Sequence, residues 1–558
     1  MVADSKSAYI RLNNAAVDAD SQSDDSVELI SELATERTSD NGIPSASTRL
    51  LGASDESDAD SLPGVPIGGP ATGSGKLGVT SAVFLILNKM IGTGIFSTPS
   101  GVFAASGSVG MSLVLWIFGG LLSLTGLSVF LEFGLAIPKS GGEKNYLERV
   151  YKKPKYLVTC IFLAQMILLG FSAGNSLAFG RYLLFALGYD FPGEREARIV
   201  AVCCISFVVA LHSLRPNMGT RLFNILGTFK VIVLLIVVFT GFAALLGWLP
   251  IENPNNFENA FENAGFGGGT YNYAVAILRI VYSYRGWENA NYVMGELKNP
   301  KRTLMVAAPL AIGGVMVLYF LAVVAYFAVI PKEEIATSGV IVAGLFFRRV
   351  FGTSAGARVL PLFVALSNLG NVLVVAYAHA RVNYEFARER ILPYSKFWAF
   401  RNRLNAPVAG LFMHWLVTVI VLAVPPPGEA YEFIIDLNTY PSAWINLLVA
   451  AGLLYLQFNK REQWSSPFHS PYLITGLYVA ANLFLMYMPL VKIPGQDGHP
   501  GFAIAGFGMG FLFMGVLYWL VWSKILPFFG GYRIEDENVC HEDGTESICY
   551  IKVMDTPR

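Results

Sequence analysis

Long apolar runs separated by short polar loops fill most of the chain after residue 76. A helix needs about 17–25 mainly apolar residues to cross a bilayer. Twelve runs reach that length, and the pattern therefore predicts twelve transmembrane helices. A shorter apolar piece, Gly339–Phe347, predicts an external loop helix. The predicted spans are approximately residues 79–103, 109–137, 156–187, 198–214, 221–248, 271–294, 304–330, 357–384, 407–424, 431–457, 470–490 and 501–527.

Glycines interrupt two of these runs at matching places. The first run contains Gly92-Thr93-Gly94, and the run five further on contains Ser283-Tyr284-Arg285-Gly286. An interruption within the bilayer is tolerable only where it faces protein or a water-filled cavity. Paired interruptions in corresponding positions of two halves indicate a transporter binding site at mid-membrane.

The chemistry of the two interruptions suits an α-amino acid. A half-helix that starts inside the membrane presents unpaired N–H groups and a positive dipole end, which favour a carboxylate. A half-helix that ends there leaves carbonyls, which favour an ammonium group. The alternative is that Gly92 and Gly94 only allow two helices to pack closely.

Composition and charge exclude several other classes. Apolar residues make up 54% and charged residues 14% of the chain, against about a quarter charged in a soluble domain. The formal net charge is zero and no basic cluster stands out, so no nucleic-acid partner is expected. The five cysteines show no metal-ligand spacing, and no nucleophile–base pair is evident. We therefore expect no enzyme, no metal and no cofactor.

The two ends of the chain differ from its centre. Residues 1–76 are rich in Ser, Asp and Glu, which predicts a disordered cytosolic N-terminal tail. Residues 77–528 form the predicted transmembrane transporter domain, and residues 529–558 a cytosolic C-terminal tail. Lys and Arg concentrate in the loops that lie inside if both termini are cytosolic. Lys6 precedes every other lysine of the first tail, and we hypothesise that a ubiquitin-ligase adaptor acts there; the alternative is a solvated linker.

Three motifs resemble those of a known transporter group. The motifs are Ile91-Gly92-Thr93-Gly94-Ile95-Phe96 with Pro99, Glu132-Phe133-Gly134 with Pro138, and Tyr284-x-Gly286-Trp287 with Glu296 and Asn299-Pro300. Together they resemble the amino acid–polyamine–organocation superfamily, in its L-type amino-acid transporter branch, over roughly residues 79–460. Asn88-Lys89, Glu288 and the acidic tail are most similar to fungal high-affinity methionine permeases.

The resemblance implies an all-α membrane protein with a five-plus-five inverted-repeat (LeuT-type) fold and unwound helices 1 and 6. It implies alternating access around a midplane site, with Ile91, Gly92, Thr93 and Gly94 on the carboxylate. Tyr282, Ser283 and Tyr284 would hold the amine and cap the pocket. Arg285 departs from the small residue common in the family and either narrows the pocket or pairs with Glu288. The loop 188–196 lacks the cysteine by which animal relatives bind a disulfide-linked heavy chain, so no such partner is expected.

The side chain of the substrate needs a pocket of its own. Candidates for its wall are aromatic and polar residues on the third, sixth and tenth runs, since a thioether is favourable against aromatic edges. The alternative for each is ordinary packing. The candidates are Phe171, Ser172, Asn175, Tyr282, Trp287 and Trp444, and Gly286 at the second interruption is a further substrate-binding candidate.

Ionisable residues at bilayer depth are functional hypotheses by default. We expect Lys230 to replace the cation of sodium-coupled relatives or to carry a proton, unless it snorkels. Lys89 either serves coupling, pairs with Glu132 or snorkels. Glu132 is expected to partner a basic residue, and Glu288 to pair with Arg285 or Arg279 or to act in proton coupling. Interface or packing roles are expected for His379, Arg381 and His414.

These inferences converge on one hypothesis. The chain is expected to be a secondary active transporter in the plasma membrane that imports neutral L-amino acids, methionine foremost, together with protons. Two alternatives stay open at this point. One is an exchanger or facilitator without ion coupling, and the other is a nutrient-sensing receptor that resembles a transporter.

Overall fold

The computed structural model describes residues 77–189, 193–338, 342–424, 430–491, 500–540 and 546–554. Lys6 and the predicted N-terminal tail lie outside the described residues. The α-helices are Val79–Met90, Thr93–Ser106, Val109–Ala136, Glu143–Val150, Leu157–Leu168, Ala173–Ala186, Glu194–Leu214, Pro216–Leu245, Gly269–Ser283, Asn289–Tyr292, Pro300–Val329, Lys332–Thr337, Val342–Phe351, Thr353–Arg388, Ser395–Trp398, Val408–Ala423, Ala430–Phe458, Tyr472–Tyr487, Pro500–Leu520 and Leu526–Gly530. Short 3₁₀ turns at Met294–Glu296, Lys460–Glu462 and Met488–Leu490 and a π-helical turn at Val521–Ile525 complete the helical elements.

Many of these helices are suited to a membrane. Within the described residues, eight helical stretches are long and apolar enough to cross one, among them Leu157–Ala186 with its two helices, and the bent pair Val79–Met90 and Thr93–Ser106 makes a ninth. Val408–Ala423 and Tyr472–Tyr487 are apolar but shorter. The chain is therefore a multi-pass membrane protein, as the hydrophobic pattern predicts.

The first interrupted run is the bent pair. The helix Val79–Met90 ends at Ile91, and a new helix starts at Thr93 with its axis turned by 42°. Gly92, between them, adopts φ −128° and ψ −146°, which is outside the helical region. We call Ile91 and Gly92 the first break.

The second interrupted run forms a helix over only its first part. The helix Gly269–Ser283 ends, residues 284–288 form turns, and a single helical turn follows at Asn289–Tyr292. Gly286 has φ +125°, a conformation that L side chains rarely adopt. We call residues 284–288 the second break.

A third break was not predicted. The expected single span 156–187 consists of two helices, Leu157–Leu168 and Ala173–Ala186, with residues 169–172 between them. Apolar periodicity runs through this stretch, and Gly170 alone gives too weak a signal to mark an interruption. We call residues 169–172 the third break.

The apolar piece after the seventh run is helical, although its bounds differ from the prediction. Residues 339–341 lie outside the described residues, and the helix runs from Val342 to Phe351. Its apolar face packs on the helix Thr353–Arg388, with Phe346 and Phe347 buried.

The C-terminal segment departs from the all-α prediction. Strands Tyr532–Cys540 and Glu546–Met554 pair antiparallel, with Tyr532 opposite Met554 and Cys540 opposite Glu546. We call this pair the C-terminal hairpin. The amide of Tyr550 donates to the carbonyl of Glu389 (3.0 Å), just beyond the helix Thr353–Arg388, so the hairpin packs on the helical domain.

A buried ion-pair cluster lies beneath the C-terminal hairpin. Lys144, only 2% exposed, contacts the carboxylates of Glu148 (3.0 Å) and Glu389. Glu148 also accepts hydrogen bonds from the hydroxyls of Thr159 (2.7 Å) and Tyr550 (3.1 Å). Lys144 belongs to the short helix Glu143–Val150, which we call the loop helix, so its ammonium group joins this helix to the end of the helix Thr353–Arg388, and Glu148 joins it to the C-terminal hairpin.

Replacing Lys144 by Met should destabilise the protein strongly. The substitution leaves two carboxylates without a cation in a buried site, which typically costs about 3–5 kcal/mol. Lys152→Met is the matched control, because Lys152 is 59% exposed and its pair with Glu462 is a surface ion pair. Thermal unfolding in detergent measures both variants. Equal melting temperatures for the two would contradict the structural role of the cluster.

Candidate functional site

The chain segments at the first and second breaks, including the residues that flank them, touch each other. A Cβ atom added to Gly94 would lie 2.9 Å from the side chain of Ser283 and 3.0 Å from its Cα. A Cβ atom on Gly286 would lie 2.8–3.0 Å from atoms of Lys89. Two glycines therefore permit backbone contact between segments almost 200 positions apart in the sequence.

Side chains from other helices satisfy the carbonyls at the first break. The ammonium group of Lys230 donates to the carbonyls of Asn88 (2.7 Å) and Ile91 (2.6 Å). The carbonyl of Lys89 accepts from the amide of Asn371 (2.8 Å), and that of Met90 accepts from the hydroxyl of Tyr319 (2.8 Å). Lys230 is 1% exposed, so it does not snorkel.

An ion pair joins the two breaks. Lys89 Nζ lies 3.1 Å from Glu288 Oε1, while Glu288 Oε2 accepts from the amide of Gly286 (2.9 Å). Of the alternatives that the sequence left open, the ion pairs of Lys89 with Glu132 and of Glu288 with Arg285 or Arg279 do not occur within 4 Å among the described residues. Because the backbone at Gly286 approaches Lys89 closely, Glu288 is the carboxylate within reach of the Lys89 ammonium group.

Glu132 has a different environment from the one expected. Its buried carboxylate accepts hydrogen bonds from the side chains of Gln457 (2.8 Å) and Trp464 (2.7 Å) and from the amide of Ser470 (2.7 Å). The ring of His469, 65% exposed, lies 3.5 Å away. Glu132 thus accepts three hydrogen bonds from neutral donors, with His469 as the basic residue beside it, and it fixes the segment before the helix Tyr472–Tyr487.

A cavity of about 170 Å³ lies at the breaks. It is near the size of the ~150 Å³ engineered cavity that holds a benzene ring. Of the residues proposed from the sequence, those in its wall are Gly92, Thr93, Gly94, Phe171, Asn175, Tyr282, Ser283, Arg285, Lys89 and Glu288.

Other proposed residues do not line the cavity. Tyr284 is fully buried between Trp116 and Tyr319, with ring centroids 5.9 Å and 5.2 Å away. Trp287 packs edge-on against Phe130, with centroids 4.9 Å apart. Tyr284 and Trp287 thus belong to the second break but pack away from the cavity, against neighbouring helices. The full set outside the wall is Ile91, Ser172, Tyr284, Gly286, Trp287, Trp444, Lys230 and Glu132.

Sequence reasoning missed part of the wall. Asn371, Val375 and His379 follow one another at intervals of four on the helix Thr353–Arg388, which places them on one helical face. The two polar residues of this face, Asn371 and His379, in a mainly apolar helix were a usable signal. At the third break the sequence indicated Phe171, Ser172 and Asn175 but not the neighbouring wall residues Gln165, Met166, Leu169, Gly170 and Gly174. Met90, Tyr292 and Ser442 complete the wall.

Side chains from two helices hold the third break. His379 Nδ1 lies 2.8 Å from the carbonyl of Gly170. The amide of Ser172 donates to the hydroxyl of Thr418 (3.2 Å), and its hydroxyl lies 2.9 Å from His414 Nε2. The break is therefore a satisfied structural element and not frayed helix.

Cationic groups prevail among the ionised side chains of the cavity wall. Lys89 and Arg285 face one carboxylate, that of Glu288, and Lys89 already pairs with it. Among the described residues, Arg285 has no ion-pair partner within 4 Å. This balance favours a ligand that carries a carboxylate.

Comparison with known proteins identifies the family. The model of the family described as amino acid permease matches residues 77–513. The chain belongs to this family. Its members and relatives are transporters, so the amino acid permease is not an enzyme.

Named relatives narrow the comparison. The permease is 37% identical to the high-affinity methionine permease of Saccharomyces cerevisiae, over 87% of this chain and 85% of the relative. It is 29% identical to the low-affinity methionine permease of the same yeast, over 84% and 86%. It is 31% identical to the cystine/glutamate transporter of Homo sapiens, over 80% and 86%.

Replacing Gly94 by Ala should separate the two breaks. The added methyl group would meet Ser283 at 2.9 Å, so the wall of the cavity must shift. We expect amino-acid uptake to fall about tenfold or more at unchanged surface abundance, since small misplacements at a binding site are costly. Gly313→Ala is the control, because no atom lies within 4 Å of its added Cβ. Equal uptake by both variants would contradict the contact.

The carboxyl group of Glu143 links the site to pH. Glu143, on the loop helix, accepts a hydrogen bond from the hydroxyl of Tyr292 (3.0 Å). Burial, with a smaller contribution from the carboxylate of Glu288, raises the pKa of Glu143 to about 7. The native state then holds a proton that the unfolded chain releases near pH 4.5. The stabilisation is complete below about pH 4.5 and is lost as the pH rises through 7.

Replacing Glu143 by Gln should remove this pH dependence. Gln accepts the hydrogen bond of Tyr292 but does not ionise. We expect the variant to gain stability over wild type as the pH rises from 4.5 to 7.5, by at most about 3 kcal/mol. Melting temperatures in detergent across that range measure the difference. Glu535→Gln, an exposed carboxylate of the C-terminal hairpin, should show no such trend; a trend of the same size there would remove the assignment to Glu143.

Proposed function

We propose that this permease imports neutral L-amino acids, methionine foremost, by proton-coupled alternating access in the plasma membrane, with both termini in the cytosol. The observation that carries the proposal is the cavity at the contact of two interrupted helices. The similarity of the permease sequence to two yeast proteins named methionine permeases supports the choice of substrate.

We propose twelve spans in a five-plus-five inverted repeat, with a cytosolic tail on each side of the transmembrane domain of residues 77–528. The eight long helices, the bent pair, the two shorter apolar helices and the interrupted helix Gly269–Ser283 together make twelve. The two breaks then fall in the first and sixth spans, five spans apart. That offset is what two inverted halves of five helices require.

The zwitterion fits the two breaks in one orientation. The helix Thr93–Ser106 begins at the cavity, and Gly92, its N-cap residue, has no side chain with which to cap the first amides. These amides and the cationic wall favour the carboxylate. Tyr282 and Ser283 are wall residues at the end of the helix Gly269–Ser283, where the negative dipole end favours the ammonium group.

An apolar part of the wall suits the side chain. Met166, Leu169, Phe171 and Val375 lie together in the wall along the third break and the helix Thr353–Arg388. A thioether gains from contact with an aromatic ring such as Phe171. Methionine thus matches both the polar and the apolar parts of the cavity.

The cavity extends from the breaks towards one side of the membrane. Its wall includes Lys89 and Gln165, which precede the first and third breaks on the side of the loop helix. It also includes His379, in the part of the helix Thr353–Arg388 that leads to Glu389 and the loop helix. We infer that this is the inward-open state, because the Lys- and Arg-rich loops favour that side as cytosolic. In this state the substrate leaves past the Lys89–Glu288 pair.

Lys230 is proposed as a fixed substitute for a transported cation. Its ammonium group takes the position between the first break and the helix Thr353–Arg388 where a bound cation would meet the same carbonyls. Lys230→Met leaves two buried carbonyls without this donor, at about 1–3 kcal/mol each. We expect uptake to be lost nearly completely. Ser367→Ala removes only the second donor to the carbonyl of Ile91, the Ser367 hydroxyl at 3.2 Å, and should keep most of the uptake. Equal uptake by Lys230→Met and Ser367→Ala would contradict this role.

Uptake of radiolabelled methionine into liposomes tests the whole proposal. An inward-directed proton gradient of one pH unit should raise accumulation by up to about tenfold. Counterflow without any response to the gradient would indicate an uncoupled exchanger or facilitator instead. Methionine binding without uptake or counterflow would indicate a receptor. Uptake of leucine or a polyamine but not of methionine would contradict the substrate.

A further inference from the structure

Coupled transport requires one group that gains and loses a proton while it faces the cavity. The inference below rests on the proposed proton-coupled uptake and concerns the identity of that group. A suitable group is a side chain with a free lone pair in the cavity wall, within reach of water and substrate.

The ionisable residues singled out by the sequence do not meet this requirement. Lys230 is 1% exposed, lies outside the wall and donates to two carbonyls, so loss of its proton would weaken the first break. Glu132 also lies outside the wall and accepts from three strong donors. Glu288 is in the wall, but both its oxygens are engaged, and its protonation would release Lys89 from the contact between the breaks.

His379 meets the requirement. It lies in the wall, and its Nδ1 contacts the carbonyl of Gly170 (2.8 Å). A carbonyl only accepts, so Nδ1 must carry the hydrogen of the neutral ring. The lone pair is therefore on Nε2, which has no hydrogen-bond partner among the described residues. One nitrogen anchors the ring, and the other is available to a proton.

The groups that face His379 come from several elements. Lys89, on the first half-helix, is the nearby cation, and Glu288 holds it; the rings of Tyr292 and His414 have centroids 5.8 Å and 5.5 Å away. Behind Tyr292 lies the carboxyl group of Glu143. On the same helix as His379, Arg381 pairs with Glu296 (3.0 Å) and stacks on Tyr377.

This arrangement links the proton to the substrate. Lys89 repels an imidazolium at His379 when the cavity is empty. A substrate carboxylate at the first break places a negative charge beside Lys89 and offsets that repulsion. Substrate and proton therefore favour each other's binding, which is the reciprocity that coupled transport requires.

We propose that His379 is the proton-coupling residue, and that its Nε2 takes one proton with each substrate molecule. The proton comes from external water when the cavity opens outwards and leaves to cytosolic water after the cavity opens inwards. The Nδ1–H···O=C bond to Gly170 persists in both forms and shortens in the charged one, so the third break follows the protonation of His379.

Two matched variants separate protonation from structure. In His379→Asn, the amide N–H can take the place of Nδ1–H towards Gly170, but the side chain does not titrate. In His414→Gln, the amide can take the place of Nε2 towards the hydroxyl of Ser172. His414 is buried and outside the wall, so it controls for the loss of a histidine at the third break.

The experiment uses the full-length protein in liposomes and measures two quantities. The first is the accumulation of radiolabelled methionine with and without a one-unit proton gradient, and the second is methionine counterflow at equal pH. Wild type and His414→Gln should respond to the gradient, by up to about tenfold. His379→Asn should lose this response, while its counterflow persists at a reduced rate.

Each other outcome has a definite meaning. A gradient response that persists in His379→Asn overturns the inference alone. Loss of counterflow together with accumulation also overturns it, because a purely structural role predicts that result. Wild type that ignores the gradient overturns the proton coupling of the proposed function and this inference with it.

A measurement on wild type remains decisive if His379→Asn does not fold. Methionine added to the purified protein in weakly buffered detergent near pH 7 should cause uptake of up to one proton per molecule bound, and His414→Gln should behave alike. Binding of methionine without proton uptake would overturn the role of His379, whereas absence of methionine binding would overturn the proposed substrate.

Discussion

A backbone polar group freed by an interrupted helix must find a partner inside the protein or in a water-filled cavity, because lipid offers it no hydrogen bond. This constraint explains the polar side chains around the site. At the first break, Lys230, Tyr319 and Asn371 provide the donors. At the second, Glu288 accepts from the amide of Gly286, and at the third, His379 and Thr418 complete the set. The cavity exists because these side chains make the interruptions stable.

Close contact between the segments at the first two breaks holds the two sides of the site together. Gly94 lies against Ser283, Gly286 lies against Lys89, and the Lys89–Glu288 pair closes the same junction. The two segments are thus joined by backbone contact and by charge. If alternating access occurs by rocking of helix groups, these segments must move as one unit, and the opposing wall formed by the third break must move relative to them.

Two adjacent residues of the loop helix connect the site with the C-terminal hairpin. Glu143 binds the hydroxyl of Tyr292, whose ring lies in the cavity wall. Lys144, the next residue, pairs with Glu148 and Glu389, against which the C-terminal hairpin packs. The segment after the second break is therefore connected to the C-terminal hairpin through a single helical turn.

The sequence by itself determined the apolar spans and the first two breaks, because apolar run length and glycine content act through the local backbone. It also indicated about half of the residues in the cavity wall, among them Lys89, Gly92 and Arg285. The tertiary structure alone decided the partners: Lys89 with Glu288 instead of Glu132, Glu132 with neutral donors, and Tyr284 behind the wall instead of in it. It alone revealed the third break and the docking of the C-terminal hairpin. Such features depend on which side chains arrive from distant helices, and apolar periodicity carries no information about that.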